Sequence, residues 1–156
     1  MNCCEESSTA EMQQVRAQRG CLSCDGPSRP VTLRTMLLML KPELFDQVGG
    51  SQYRFCASPD CQVVYFSRAR SFTTVDLRVR VGLKEKDGPI PLCYCFGFCE
   101  QAVREEIATK GHTTIPQHIR ALIKERMCAC EERNPSGACC LGEVVKAVKR
   151  LMKEVT

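Results

Sequence analysis

Cysteine constrains this chain more than any other residue type, because it occupies thirteen of the 156 positions. Many of these cysteines come in close pairs, such as Cys21-x-x-Cys24 and Cys93-x-Cys95. A secreted domain would use them as disulfides, but the number is odd and the polar N-terminus lacks the apolar core of a secretory signal. In a reducing compartment, close thiol pairs favour metal binding. We therefore predict a cytoplasmic protein whose fold is built around metal sites.

Composition and charge exclude several classes of protein. The chain is 44% hydrophobic and 26% charged, which is typical of a folded protein of one ordinary domain or two small ones. The most apolar run, VTLRTMLLML, contains Arg34 and is too short to span a bilayer. The net charge of +4 is mild, and basic residues are mixed with acidic ones. We predict neither a membrane span nor a nucleic-acid partner.

The sequence divides at KDGPIP, where glycine and two prolines indicate a linker. Residues 1–18 are predicted to be a flexible tail, residues 19–86 a first unit, and residues 92–156 a second unit. The first unit combines strands with a helix, whereas the second is helical. The fold class predicted for the whole chain is therefore α+β.

Four elements are predicted in the first unit, one helix and three strands. Thr32 is a plausible N-cap of a helix with apolar residues at helical spacing. YRFCASPDCQVVYF is typical of strand, turn and strand. The alternation in TTVDLRVRVGLKEK predicts a half-buried strand with one apolar face, formed by Val75, Leu77, Val79 and Val81.

Three helices are predicted in the second unit. EQAVREEIATKGH forms the first and ends at Gly111, and Thr114 caps the second, IPQHIRALIKERM. LGEVVKAVKRLMKEV forms the last. The loop CACEERNPSGACC lies between the second and the last helix.

Cys21, Cys24, Cys56 and Cys61 form a first candidate metal site with the pattern C-x2-C … C-x4-C. A structural zinc ion takes four tetrahedral ligands, and thiolates bind it at about 2.3 Å. Two short turns with two thiols each supply such a set. We therefore predict structural zinc, which would help a unit with a small core to fold. Buried free thiols and a thioredoxin-like redox pair are the alternatives.

Cys93 and Cys95 open a second candidate site. Four more cysteines follow in a later loop: Cys128, Cys130, Cys139 and Cys140. The two intervening helices would return the chain to its starting end, so that the loops meet. Four thiolates from two loops match a [2Fe–2S] cluster. The dipole of the last helix favours a thiolate at its N-terminus, hence Cys140 over Cys139. A second zinc ion is the competing interpretation.

The letters of these motifs, as well as their spacing, resemble a known family. CYCFG, a helical stretch and then C-x-CE-x-x-NPSG-x-CCLG resemble the N-terminal domain of CopZ-type copper chaperones, which carries a zinc ion and a [2Fe–2S] cluster. FCASPDCQVVYF and VRVGLKEK are similar to the zinc unit of that family. The helical half is also similar to bacterioferritin-associated ferredoxins, which hold the cluster in a helix-turn-helix. The resemblance covers roughly residues 20 to 145.

The resemblance implies ligands for both metals. Zinc would be held by Cys21, Cys24, Cys56 and Cys61. The cluster would be held by Cys93, Cys95, Cys130 and Cys140. Cys128 and Cys139 are the rivals for the last two positions, because the sequence doubles each of them.

The resemblance implies a metallochaperone or an electron-transfer protein rather than an enzyme. Such a protein would handle copper or another soft metal. Full-length members add a C-terminal domain with an M-x-C-x-x-C copper loop, which these 156 residues do not contain. We therefore expect a protein that reduces Cu(II) before a separate copper carrier or a metal-transporting ATPase accepts Cu(I). A cluster-dependent regulatory protein and a two-zinc structural protein are the alternatives.

Three cysteines remain outside both sets. Cys3 and Cys4 are adjacent in the tail and could bind a soft ion such as Cu(I) or Hg(II). Cys99 falls on the first turn of a predicted helix, where a core thiol is the more frequent case than a fifth ligand.

Overall fold

The computed structural model describes residues 20–156. The predicted tail, with Cys3 and Cys4, lies outside the described residues. Within this part of the chain, two small antiparallel sheets and several helices form two larger hydrophobic cores and a smaller buried cluster around Cys21, Cys56 and Cys61. The α+β prediction is confirmed.

Four short strands make the first sheet, in the order β1-β2-β3-β4. Their bounds are Ser28–Val31 (β1), Tyr53–Cys56 (β2), Val63–Phe66 (β3) and Ser71–Thr73 (β4). All neighbours are antiparallel, and Phe55 of β2 pairs with Tyr65 of β3. The predicted strand–turn–strand is therefore confirmed as β2 and β3.

The helix α1, Leu33–Met39, packs against this sheet. It begins where predicted, because the Thr32 side chain accepts a hydrogen bond from the Thr35 backbone N–H at 3.1 Å. The turn Pro42–Gln47 of 3-10 helix follows. The first core is formed by Met36, Met39, Leu40, Tyr53, Phe55, Val64, Tyr65, Phe72, Leu77 and Val81.

The prediction of a half-buried strand over residues 75–81 is wrong. The segment has a turn of 3-10 helix at each end, Thr74–Asp76 and Gly82–Lys84. A capping box stabilises the start of the first turn. Val75 is 72% exposed, so the apolar face does not extend to it. Leu77 is buried but forms only an isolated bridge to the end of α1. The alternation therefore reflects an extended chain packed on the first core outside the sheet.

The second half starts with a small hairpin that was not predicted, Pro91–Cys93 (β5) and Phe98–Cys99 (β6). The helices that follow are Glu100–Lys110 (α2), Ile115–Lys124 (α3), Cys130–Arg133 (α4) and Leu141–Val155 (α5). The three long helices match the prediction, whereas the single turn α4 was assigned to a loop. Each helix in residues 20–156 is too short or too polar to cross a bilayer.

The second core lies between the hairpin and the long helices. The buried Glu100 carboxylate pairs with Arg104 of the same helix at 3.0 Å, and its ion pair with Arg150 at 2.7 Å joins α2 to α5. Gly111 ends α2 in the left-handed conformation, with φ of 75°, as predicted for a helix stop. The buried residues of this core are Cys93, Val103, Ile107, Ile115, Ile119, Cys130, Cys140, Val144 and Leu151.

Glu106 fixes the turn between α2 and α3. Its carboxylate accepts hydrogen bonds from the Thr113 hydroxyl and, at 3.0 Å, from the Thr114 backbone N–H, and it pairs with Lys110 at 2.9 Å. These contacts, the Thr113 bond first, lower the pKa of Glu106 to about 2, so the group is ionised at pH 7. We expect Glu106→Ala to reduce the free energy of unfolding at pH 7 by about 1–2 kcal/mol, because two donors lose their acceptor.

Urea unfolding followed by circular dichroism measures this loss. The neighbouring Glu105→Ala is the matched control, since that exposed side chain makes no contact with the turn. Equal effects of the two substitutions would show that helix propensity, rather than the turn, sets the cost.

Candidate metal centres

The four predicted zinc ligands converge at one place. The sulfur atoms of Cys21, Cys24, Cys56 and Cys61 all lie within 4.8 Å of one another. The Cys21–Cys61 and Cys24–Cys56 sulfur distances are 4.0 and 3.7 Å. A tetrahedron with metal–sulfur bonds of about 2.3 Å has edges of about 3.8 Å. The thiols are therefore spaced as the corners of a single tetrahedral site.

Two turns build this site. In the first, the Asp25 backbone N–H donates to the Cys21 carbonyl at 2.8 Å and closes the turn between the paired thiols. In the second, Cys56 ends β2, and the Cys61 N–H donates to the Ser58 carbonyl at 3.3 Å. No helix starts on the first turn, because α1 begins only at residue 33. A thioredoxin-like redox pair would sit at a helix N-terminus, so this geometry disfavours it.

The thiols of the first site titrate unequally. The Ser58 hydroxyl and then the Gly26 backbone N–H lower the pKa of Cys24 to about 6, so this thiol is ionised at neutral pH. Burial raises the pKa of Cys21 to about 12 and also raises that of Cys61. An incoming cation therefore meets one thiolate first and must displace protons from its buried neighbours.

The second set of predicted ligands also converges, in two pairs. The sulfur atoms of Cys95 and Cys130 lie 3.6 Å apart, and the Ala129 backbone N–H donates to the Cys95 sulfur at 3.2 Å. The thiols of Cys93, at the end of β5, and Cys140, the N-cap of α5, are close enough to shift each other's pKa. Each pair thus joins one residue of the first loop to one of the second.

One thiolate is also preferred in this second set. The neighbouring Cys140 thiol lowers the pKa of Cys93 to about 6, and the Phe96 backbone N–H adds to this effect against burial. The neighbouring Cys93 thiol and then burial raise the pKa of Cys140. Burial raises the pKa of Cys130 to about 12. The Cys93 thiolate is therefore the first anionic donor of this set.

The two sets of thiols differ in how far apart their sulfur atoms lie. Among residues 20–156, only the first set has three or more candidate ligand atoms that all lie within 4.8 Å of one another. The second set is spread more widely than the corners of one tetrahedron.

The other cysteines of the second half are less enclosed. Cys139 is exposed, and Cys128 is half-buried against the second core. Cys99 is the half-buried N-cap of α2, just before the helix rather than on its first turn.

Two tyrosines that the sequence did not single out connect the cysteine-containing loops of the second half to the first half. The Tyr94 hydroxyl accepts a hydrogen bond from the Gly82 N–H at 2.8 Å and donates to the Arg80 carbonyl at 3.1 Å. The Tyr65 hydroxyl donates to the Pro135 carbonyl at 2.6 Å. The position of Tyr94 between two cysteines is a sequence signal for such a role, whereas Tyr65 looks like any apolar strand residue.

Fold and site together define a metal-binding protein with a four-cysteine zinc-binding domain, and comparison with known proteins agrees. The zinc binding domain of the CopZ family matches residues 18–78. The copper chaperone CopZ of Archaeoglobus fulgidus is 32% identical over 141 residues, which cover 86% of this chain and 67% of that protein. The chain therefore belongs to the CopZ family.

A solved structure is similar to this fold. The X-ray structure of the Archaeoglobus fulgidus CopZ N-terminal domain superposes with a TM-score of 0.70 at 28% identity. The match covers 81% of this chain and 95% of that domain. The chain thus shares the fold of a CopZ N-terminal domain over nearly the whole length of that domain.

Proposed function

We propose that this protein is a copper-handling metallochaperone with a redox centre. One structural Zn²⁺ is held by Cys21, Cys24, Cys56 and Cys61. One [2Fe–2S] cluster is held by Cys93, Cys95, Cys130 and Cys140.

The arrangement of the second thiol set in two pairs carries this proposal. The Cys95–Cys130 distance of 3.6 Å suits two ligands of one tetrahedral metal. Cys93 and Cys140 are neighbours whose thiols influence each other's pKa, and they suit the ligands of another. A cluster of two irons needs two such pairs, whereas one zinc ion needs four equivalent corners. The wider spread of this set therefore supports a cluster over a second zinc.

Burial and helix position support Cys130 and Cys140 against their neighbours. Cys140 is 2% exposed and stands at the N-terminus of α5, where backbone N–H groups and the dipole stabilise a thiolate. Cys139 is exposed and Cys128 is half-buried, and Cys130 is the residue within bonding reach of Cys95.

Copper can approach the proposed cluster through a cavity. A cavity of ≈ 470 Å³ lies between the first sheet and α5, and its lining includes Tyr94, Cys139 and Cys140. A [2Fe–2S] cluster supplies one electron, which matches the reduction of one Cu(II) to Cu(I). An external one-electron donor then reduces the cluster again, so that the protein can react with the next Cu(II) ion. A separate copper carrier or a metal-transporting ATPase then accepts the Cu(I).

Copper reduction gives the direct test of this function. We expect protein reduced with dithionite and freed of excess reductant to convert one additional Cu(II) per chain into Cu(I), measured with a Cu(I)-specific chelator. The cluster should return to its oxidised visible spectrum in step with the Cu(I) formed.

Free thiols also reduce Cu(II), so the oxidised holoprotein is the control that reports their share. Cu(I) yields that are equal for the reduced and oxidised proteins would contradict the redox role and leave a cluster-dependent regulatory role. A colourless protein with two zinc ions per chain would contradict the cluster itself.

A further inference from the structure

Segment 130–140, which carries two of the proposed cluster ligands, is held in place by the zinc-binding half of the chain. The Tyr65 hydroxyl on β3 donates to the Pro135 carbonyl at 2.6 Å, and the Thr35 hydroxyl on α1 donates to the Glu131 carbonyl. Both donors are almost fully buried. These contacts hold the segment next to Cys130 and at its midpoint, Pro135.

Close packing accompanies these hydrogen bonds. A β-carbon added at Gly137 would lie 3.8 Å from the Val31 side chain, so the loop backbone rests on the first half. Gly137 also has a φ of +67°, which a residue with a side chain rarely adopts. The loop therefore has one defined path over β1 and α1.

Tyr65 is in turn fixed by the zinc site. It lies on β3, four residues after Cys61, and its cross-strand partner Phe55 immediately precedes Cys56. A metal ion that binds Cys56 and Cys61 clamps together the ends of the two strands that place Tyr65. The aromatic rings of Phe55 and Tyr65 also pack against each other, with centroids 6.1 Å apart. A continuous chain of contacts thus runs from one metal site to the other.

We propose that Tyr65 is a positioning residue for the cluster, through which the zinc-fixed sheet holds segment 130–140 with its thiols facing Cys93 and Cys95. This inference rests on the proposed cluster. It assigns the zinc site a role beyond local folding: zinc binding prepares the second site for its cluster. Groups behind the metal ligands typically change metal retention by about 10–100-fold. Burial keeps the pKa of Tyr65 far above its usual range, so its hydroxyl stays a donor at every working pH.

Tyr65→Phe tests this inference, because it removes one hydroxyl and keeps the ring. In the full chain with both metals, we expect the cluster to be lost to an iron chelator about 10-fold faster than in the wild type, followed by bleaching of the visible absorbance. The variant should still contain one zinc ion per chain, and its visible circular dichroism should show altered cluster geometry.

Phe72→Leu is the matched control, since Phe72 is buried in the same core and makes none of the contacts to segment 130–140. At a similar loss of unfolding free energy, this variant should release the cluster at the wild-type rate. Equal acceleration in both variants, or none in Tyr65→Phe, would overturn the inference.

Thr35 provides a second test. Thr35→Val should accelerate cluster loss, whereas Thr35→Ser retains the hydroxyl and should not. Two negative outcomes can be told apart. A wild-type protein without iron would contradict the proposed function. A protein that contains iron but is insensitive to these substitutions would contradict only the positioning role.

Discussion

The expected result of replacing Cys140 by serine is loss of the proposed cluster with the zinc ion still in place. We expect Cys140→Ser protein to be colourless and free of the electron-paramagnetic-resonance signal of a reduced [2Fe–2S] cluster, while metal analysis still finds one zinc ion per chain. The reason is that Cys140 is a buried thiol beside Cys93 at the N-terminus of α5, whereas the adjacent Cys139 is exposed. Cys93→Ser should give the same result.

Cys139→Ser is the control, because it changes the adjacent residue by the same single atom. Cys139 is exposed, so this variant should keep its colour. Likewise, Cys130→Ser should be colourless, whereas Cys128→Ser should keep its colour. A coloured Cys140→Ser together with a colourless Cys139→Ser would reverse the ligand assignment. Loss of zinc along with the cluster in Cys140→Ser would contradict two separate sites.

Replacing Cys56 by serine should have the largest effect on stability. Cys56 is fully buried at the end of β2, next to Cys24 at 3.7 Å. We expect Cys56→Ser to bind less than one zinc ion per chain and to lose on the order of 5 kcal/mol of unfolding free energy. Structural zinc contributes about 10–16 kcal/mol in small zinc-finger peptides. The loss should be smaller here, because the first core remains.

Thermal unfolding and zinc analysis measure this effect, and Cys99→Ser serves as the control. Cys99 is half-buried and belongs to neither converging set, so its substitution should leave the zinc content at one. Full zinc occupancy in Cys56→Ser would show that three thiols and another group suffice, and the four-cysteine assignment would fail.

Local sequence signals predicted most helices and strands, because the start, the end and the apolar face of such an element depend on residues close to it in the sequence. The Thr32 cap, the Gly111 stop and the apolar periodicity of α5 depend on contacts within a few positions. The strand expected over residues 75–81 failed for the opposite reason. Alternation shows which side chains are buried, but pairing in a sheet depends on a free neighbouring strand, and here the segment turns at both ends.

The same difference between local and long-range information applies to the candidate metal sites. C-x2-C and C-x-C pairs place two sulfur atoms on one turn, so spacing alone indicated which thiols act together. The doubled cysteines at residues 128–130 and 139–140 have no such local distinction. In the structure, the members of each doublet differ in burial, and Cys140 stands at the N-terminus of α5.

The sequence by itself determined that the chain uses paired thiols for metal, where the turns lie, and which family it resembles, since these are short-range and compositional properties. The tertiary structure decided which thiols meet across loops, and it joined the two halves of the chain through Tyr65 and Tyr94. Those contacts link residues 70 and 12 positions apart, and no local pattern encodes which carbonyl or N–H a buried hydroxyl will reach.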